Sequence, residues 1–504
     1  MFTRLLYLIH RWGGVVLAIF MVMWLISGLI IAYTSPLPLS HPQQLSRGTP
    51  LAPAENWLSA GDAARIGGIA AQDILKTRLV RAGALPLWLV EDSRHKFVAL
   101  SALDGSVQHI TPEQAEAIGR QWLGGRHAVF DGTVSFTASL RNYPHLAPYH
   151  RVAANDGAGT ELLISAVTGE VLQDSTRWDR ALYLAGNWLH FFRPIESLGA
   201  PDTRRDVLMW SGLAATIAAL TGLVIGWLRW RPGWFGGRTY SGGRTQPYRR
   251  FWLKWHFWSG LIGGTAAFLW TLSGYLNGNP SQIFSAAAAT QAELNRFHGG
   301  GLPEVVLSWR PGQAARDLPG ETVEAQWSHI GGEAVLIAYN RSGEARVRAA
   351  DGAIQSFSEK ALTAAALRLV PGAREAKLTK LDSYDNYYYL YHFRDASERP
   401  LPILRADIAD ASGTSVYIDP QDGRIVLKLD NSRRVYRWLF SAVHRWDIGW
   451  LYARPLWDAW LITVCLLGLV LSVSSAVLGW RRLRITFAAR GPRAGEDVAA
   501  QQTA

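Results

Sequence analysis

The chain has 504 residues, 49% of them hydrophobic, and a formal net charge of +11, too long for a single core, so several domains are expected. The positive charge does not read as a nucleic-acid footprint, because it gathers beside apolar stretches: seven Lys or Arg and no Asp or Glu lie between Arg229 and Lys254, and five arginines follow Trp480. One cysteine, Cys465, excludes an internal disulfide, a Cys-rich iron–sulfur centre and covalent haem attachment through Cys-x-x-Cys-His.

Taken in chain order, the first predicted element is an apolar span from Trp12 to Tyr33, preceded by Arg4, His10 and Arg11. Its apolar stretch exceeds a signal-peptide core, so it reads as a transmembrane helix. A polar region follows, from about Thr34 to Asp206, in which helical patterns alternate with β-branched strands and glycine turns. Within it a turn is expected at Asp104-Gly105. A helix is expected over Thr111 to Leu123, opened by an N-cap residue, a proline and an acid, and a hairpin joins Glu161–Ala166 to Glu170–Gln173. His145 and His150, around two prolines, suit a polar loop better than metal capture. Trp178 to Arg193 is aromatic and helically spaced; it lies in the membrane interface or leads at a slant into the next span, Val207 to Trp227, and it holds His190.

After the basic connection, whose glycine-rich part Gly233 to Gln246 reads as a flexible linker, a third span is predicted from Trp258 to Leu276. A second polar region extends to about Pro455. It is expected to hold a short helix over Ser285 to Ala292, a turn at Asp351-Gly352, a helix from Ser358, and a hairpin joining Ser415–Asp419 to Arg424–Lys428. The aromatic stretch Asp382 to His392, including Tyr384, reads as an edge strand; a groove for a bulky ligand is the other option. Arg434 to Trp450 holds His444, the fourth span runs from Leu456 to Trp480, and the tail after Arg490 is expected to be disordered. Two modules per polar region make four in all.

Set end to end, the predicted fold is a membrane protein with four transmembrane α-helices and two duplicated periplasmic α+β regions. The segments are 1–34 (first helix), 35–178 (first polar region), 179–230 (interfacial segment and second helix) and 231–250 (linker). Then come 251–277 (third helix), 278–432 (second polar region), 433–482 (interfacial segment and fourth helix) and 483–504 (tail). The basic stretches mark the cytoplasmic side, which puts both termini there and both polar regions outside. In a bacterial cell that means the inner membrane and the periplasm.

The two halves are copies. His10 and His256 stand 246 positions apart, as do Ser27-Gly28 and Ser273-Gly274, while His190 and His444 stand 254 apart. A period this long is a duplicated domain rather than a solenoid. Two equivalent histidines from two equivalent helices suit a pseudo-symmetric bis-imidazole metal site. His10 and His256 can meet on one b-type haem near the cytoplasmic face, and His190 and His444 on another near the outer face. Arg11, Arg445 and Arg193 stand close in sequence to these histidines, where guanidinium groups would suit haem carboxylates. Small residues such as Gly13, Gly14, Gly28, Gly222, Gly264, Gly274 and Gly468 allow close approach of helices or of a flat macrocycle. No phosphate-binding glycine loop and no Gly-x-Ser-x-Gly hydrolase element is found.

A histidine opening the first span ahead of Trp-x-x-Ser-Gly (Trp24 to Gly28, Trp270 to Gly274), modules ending in a Thr-Gly or Asp-Gly hairpin, and then Leu-His190 or Val-His444 together resemble the PepSY-associated transmembrane helix family. The resemblance covers nearly the whole chain apart from the tail. It implies a bacterial inner-membrane protein of iron uptake, of the kind that reduces ferric siderophores with b-type haem, and it implies His10, His256, His190 and His444 as haem ligands. Some relatives carry a fused flavin-reductase domain; none is seen in this chain, so electrons are expected from quinol or a separate reductase. The expected function is an oxidoreductase carrying electrons outward through two haems to a ferric siderophore or other ferric chelate. The alternative is that the spans only anchor modules that bind or regulate a periplasmic protein such as a peptidase. Transport of metal or chelate is weaker, because the spans lack a chain of buried polar groups.

Overall fold

The computed structural model describes residues 1–93, 96–314, 321–331, 333–349 and 353–488. The expected turn at Asp351-Gly352 and the tail beyond Ala488 lie outside the described residues. The chain divides into two compact units: a helical unit of Met1–Ala32, Leu184–Ile283 and Tyr436–Ala504, and a sheet unit of Tyr33–Tyr183 and Phe284–Val435.

Four long helices build the helical unit: α1 (Phe2–Ala32), α2 (Pro201–Arg229), α3 (Phe251–Asn277) and α4 (Leu456–Ala488). Three of them, α1, α2 and α4, are long and apolar enough to cross a membrane. The third is 27 residues long, about 40 Å at the α-helical rise, but Lys254, His256 and its many Trp, Gly and Ser residues dilute its apolar character. All four outrun the predicted apolar stretches, because backbone hydrogen bonding continues past the point where side chains turn polar. They pack in a ring, α1 on α2, α2 on α3, α3 on α4 and α4 back on α1. Small residues set the approach: a Cβ on Gly263 would lie 2.9 Å from Leu467 Cβ, and one on Gly264 2.9 Å from Leu223 Cδ2. The connection from α2 to α3, expected to be a flexible linker, is folded: Arg231 N–H donates to Thr245 O and Tyr240 N–H to Arg244 O, both at 2.8 Å.

Among its described residues the sheet unit holds three sheets, in which two four-stranded sets, one from each half, are joined edge to edge. One four-stranded sheet comes from each half, Val129–Val134 to Val171–Ser175 and Ala376–Leu381 to Ile425–Leu429. The other strands of both halves merge into one eight-stranded sheet, because Ile74–Ala82 pairs antiparallel with its copy Thr322–Ile330. Arg78 faces Gln326, the residue 248 positions on, and the pairing is reciprocal about that point, so the pseudo-twofold axis passes through the pair. Beneath it Trp88 and Trp327 are fully buried, edge to face at 4.6 Å. Burying both strands' shared edge removes two exposed sheet edges at once, which is why the modules do not stay separate.

The helix expected from Thr111 runs Pro112–Trp122 with a capping box from Thr111 and Gln114, and its copy runs Glu359–Leu369 from Ser358. Two further expectations fail. The Ala-rich Ser285–Ala289 is not helical; the helix is Gln291–His298, begun where the Thr290 hydroxyl can cap Glu293 N–H. The stretch Asp382–His392 is an irregular loop between strands Ala376–Leu381 and Ile403–Ile408, not a strand. There Asp385 accepts the backbone N–H groups of Tyr387 and Tyr388, while Tyr388 is buried, stacked on Tyr417 at 5.1 Å, and donates to Pro400 O. Side chain-to-backbone bonding of this kind outcompetes a ladder.

Candidate functional site

Equivalent histidines of the two copies meet in pairs. His10 of α1 and His256 of α3 have ring centroids 6.0 Å apart. Their counterparts, His190 and His444, sit in helical segments with π-helical turns (Leu184–Trp188 and Arg437–Ala442) that precede α2 and α4, and their centroids are 6.4 Å apart. Each segment ends at an aromatic residue in the left-handed region, Phe192 (φ 51°) and Trp446 (φ 57°), equivalent positions of the two copies. That conformation is unfavourable for a bulky side chain and persists only where surrounding contacts hold it. An ion pair stands at each turn: Arg193 donates to Glu196 at 2.8 Å, and Arg437 clamps the carboxylate and carbonyl of Asp447 at 2.8 Å each.

Partners fix which ring nitrogen carries the proton. The Ala218 carbonyl, 3.0 Å from His10 Nδ1, can only accept, so Nδ1 is the donor. Ser27 Oγ spends its own hydrogen on Met23 O at 2.6 Å and therefore accepts from His190 Nδ1–H at 3.0 Å. Ser273 repeats this, donating to Leu269 O and accepting from His444 Nδ1–H at 2.9 Å. Ser474 and Ser475 both donate to Leu471 O and lie 3.3 and 3.2 Å from His256 Nδ1. All four rings thus place the proton on Nδ1 and leave the Nε2 lone pair for a metal, as ligating imidazoles require.

The His190–His444 pair is also held by its backbone. Trp24 Nε1–H donates to His190 O at 3.1 Å and Trp270 Nε1–H to His444 O at 3.0 Å. Gly28 and Gly274 leave room for the rings: an added Cβ would stand 3.4 Å from His190 Cε1 and 3.8 Å from His444 Cε1. Against His10 the space is tighter, with a Cβ on Gly222 only 2.6 Å from Cε1. The Trp-x-x-Ser-Gly element is therefore a clip in which three residues on one helix face grip one histidine. Ser27, Ser273, Trp24 and Trp270 gain their roles only from this geometry, as do Ser474 and Ser475; for the first four the sequence carries a signal, the recurrence of Trp and Ser at one spacing in both copies.

The spacing fits a shared metal. Two metal–nitrogen bonds of about 2 Å, with about 1 Å from each nitrogen to its ring centre, span about 6 Å. The two levels are separate: His10 to Ser27, like His256 to Ser273, is 17 residues of helix, about 25 Å. The three arginines proposed beside the histidines are placed differently. Arg11 and Arg445 are exposed, Arg445 with its guanidinium 5.9 Å from the Phe440 ring, while Arg193 is buried and spends its charge on Glu196. Arg193 thus holds the turn through Glu196, and its buried Nε–H has no acceptor among the described residues. Phe440 itself stacks on His444 at 5.0 Å.

Other histidines do other work. His150 lies on the strand Tyr149–Ala153, not in a loop, with Nε2 bonded to Ile110 O at 2.7 Å and Nδ1 to Thr133 Oγ1 at 2.9 Å, so no nitrogen is left for a metal. His145 stacks on Phe97 at 4.8 Å. Among the described residues no group of three or more His, Cys, Asp or Glu is arranged to hold a metal ion, which leaves imidazole pairs completed by another ligand set as the metal-binding option.

The family model for the PepSY-associated TM region matches residues 7–370. The chain belongs to this family. It is accordingly a membrane protein in which α+β sheet regions accompany apolar helices. No curated protein is similar enough to count as a match.

Proposed function

We propose that this PepSY-associated membrane protein holds two b-type haems, one between His10 and His256 and one between His190 and His444, and carries electrons through them to a ferric chelate. On this reading all four long helices span the bilayer of a bacterial inner membrane. The basic end, with His10 and His256, is cytoplasmic by the positive-inside bias, and the sheet unit is periplasmic. The observation that carries the reading is the pairing itself: two imidazole pairs with ring centroids 6.0 and 6.4 Å apart and every Nδ1 engaged, which makes Nε2 the nitrogen a metal would take.

Bound haem would supply a one-electron couple at each level. The chain's own residues do the rest. Ser27, Ser273 and the Ala218 carbonyl orient the imidazoles and raise their basicity through the Nδ1 proton. Gly222, Gly28 and Gly274 keep side chains out of the space the rings occupy. The buried Trp446 indole N–H, which has no acceptor among the described residues, is a donor that a haem carboxylate would satisfy. Reducing a ferric chelate of hard oxygen donors releases its iron, because ferrous iron is held less tightly. Quinol or a separate reductase would deliver the electrons at the inner level.

The test is optical. Purified protein should show a reducible Soret band with two haems per chain; His190→Ala with His444→Ala should remove one haem and His10→Ala with His256→Ala the other. Protein without a reducible band, or chelate reduction that survives loss of both haems, would end the proposal.

A further inference from the structure

The end of the helical unit that carries His10 and His256 has a second built feature. No Asp or Glu occurs between Val207 and Ala292, and Arg231, Arg238, Arg249, Arg250 and Lys254 are exposed there. Among the described residues, the carboxylates of this unit seen in ion pairs are Glu196, Asp447 and Asp458, none of them on this connection. The connection bearing these cations is nonetheless folded and hydrogen-bonded to α1. Arg231 stacks its guanidinium 4.4 Å from the Tyr240 ring, Tyr240 OH donates to Arg229 O at 3.0 Å, and Arg229 Nε–H donates to Tyr7 OH at 2.6 Å on α1.

At its tip, between Gly233 and Gly237, Trp234 is 66% exposed and Phe235 fully so, and Phe235 takes φ 52°. An L-residue in that region is held against local preference. The fold thus presents two exposed aromatic rings beside exposed cations that have no ion-pair partner among the described residues, on a chain that spans a membrane.

We propose that this hairpin is a site for anionic phospholipid: Trp234 and Phe235 enter the leaflet at headgroup depth, while Arg231, Arg238, Arg249, Arg250 and Lys254 lie on lipid phosphates. Only a ligand with an anionic layer over an apolar one uses both halves of the feature. Free phosphate has no use for the rings, and an acidic protein surface has no apolar layer beneath its charge. The site is independent of haem.

The full-length protein is reconstituted in nanodiscs of phosphatidylcholine with or without phosphatidylglycerol, and retained lipid is read by native mass spectrometry alongside Tm. Each cation near such a surface contributes about fivefold to lipid affinity. Replacing all five by Gln should lower phosphatidylglycerol retention tenfold or more, replacement of the arginines by Lys should preserve it, and added salt should weaken it. Trp234→Ser with Phe235→Ser should lower retention without changing its salt dependence. Equal retention by wild type and the five-Gln protein overturns the proposal. So does an equal Tm gain from inorganic phosphate alone, or from soluble polyglutamate in phosphatidylcholine discs.

Discussion

Ser27 Oγ lies 3.0 Å from His190 Nδ1 across 163 residues of sequence, and the second copy repeats the contact between Ser273 and His444 at 2.9 Å. The serines stand 246 positions apart and the histidines 254, so the contact has been kept although the copies differ in length between its two ends. A hydroxyl already donating to its own helix is an acceptor of fixed direction, and it locks the imidazole with Nε2 outward.

Removing the acceptor should release the ring. Ser27→Ala combined with Ser273→Ala is expected to weaken haem binding at the outer level about 10- to 100-fold, leaving the inner level unchanged. Spectroscopic haem titration of the apoprotein checks this; two haems bound as in wild type would show that the serines are bystanders.

Gly222→Ala tests the inner level alone. Its Cβ would stand 2.6 Å from His10 Cε1, so the imidazole must move, at about 1–3 kcal/mol. Haem stoichiometry should fall from two to one per chain. Gly14→Ala, whose Cβ meets nothing within 4 Å, is the control and should bind as wild type.

In the sheet unit Arg78 bridges Glu170 at 2.8 Å and Glu324 at 3.1 Å, and His41 donates to Glu324 at 3.1 Å. Arg78→Met leaves two carboxylates without their cation and should destabilise the unit by about 3 kcal/mol or more, seen as a lower Tm of the sheet unit by calorimetry.

Burial by itself would raise the Glu324 carboxyl, but Arg78 and then His41 outweigh it and hold it at about 2, below the ordinary 4.5. A depressed carboxyl stabilises the fold fully above its unfolded value and loses that contribution as pH falls from about 4.5 through about 2. Tm should therefore drop over that window in wild type and drop less in Glu324→Gln; parallel curves would contradict the assignment.

Asp422 behaves in the opposite sense. Burial, then the neighbouring Asp419, push its carboxyl up to about 6 from 3.8. The fold holds that proton more tightly than the unfolded chain does, so ionisation costs stability as pH rises from 3.8 and the cost is complete above about 6. Asp422→Asn should match wild type in acid and melt higher at neutral pH, which a pair of Tm–pH curves decides.

Much of the molecule was legible locally. Apolar length gave the helices, an N-cap residue followed by Pro and Gln gave the helix at Pro112, and Thr-Gly and Asp-Gly turns gave the hairpins. Local reading failed where a side chain redirected the backbone: Thr290 moved a helix start past the alanines, and Asp385 turned an aromatic stretch from strand to loop. The pairing of Arg193 with Glu196, three residues on, is a contact of the folded turn that the sequence pattern did not show.

The sequence alone determined that the chain is written twice, that apolar helices alternate with α+β regions, and that one end is cationic, because each of these is a property of composition and short-range period. Only the tertiary structure decided that the helix ring brings His10 to His256, that the segments before α2 and α4 bring His190 to His444, which hydroxyl or carbonyl holds each Nδ1 proton, and that two modules fuse through Arg78 and Gln326 into one sheet. Those contacts join residues far apart in sequence, and they depend on how helix faces and sheet edges pack, which no local pattern encodes.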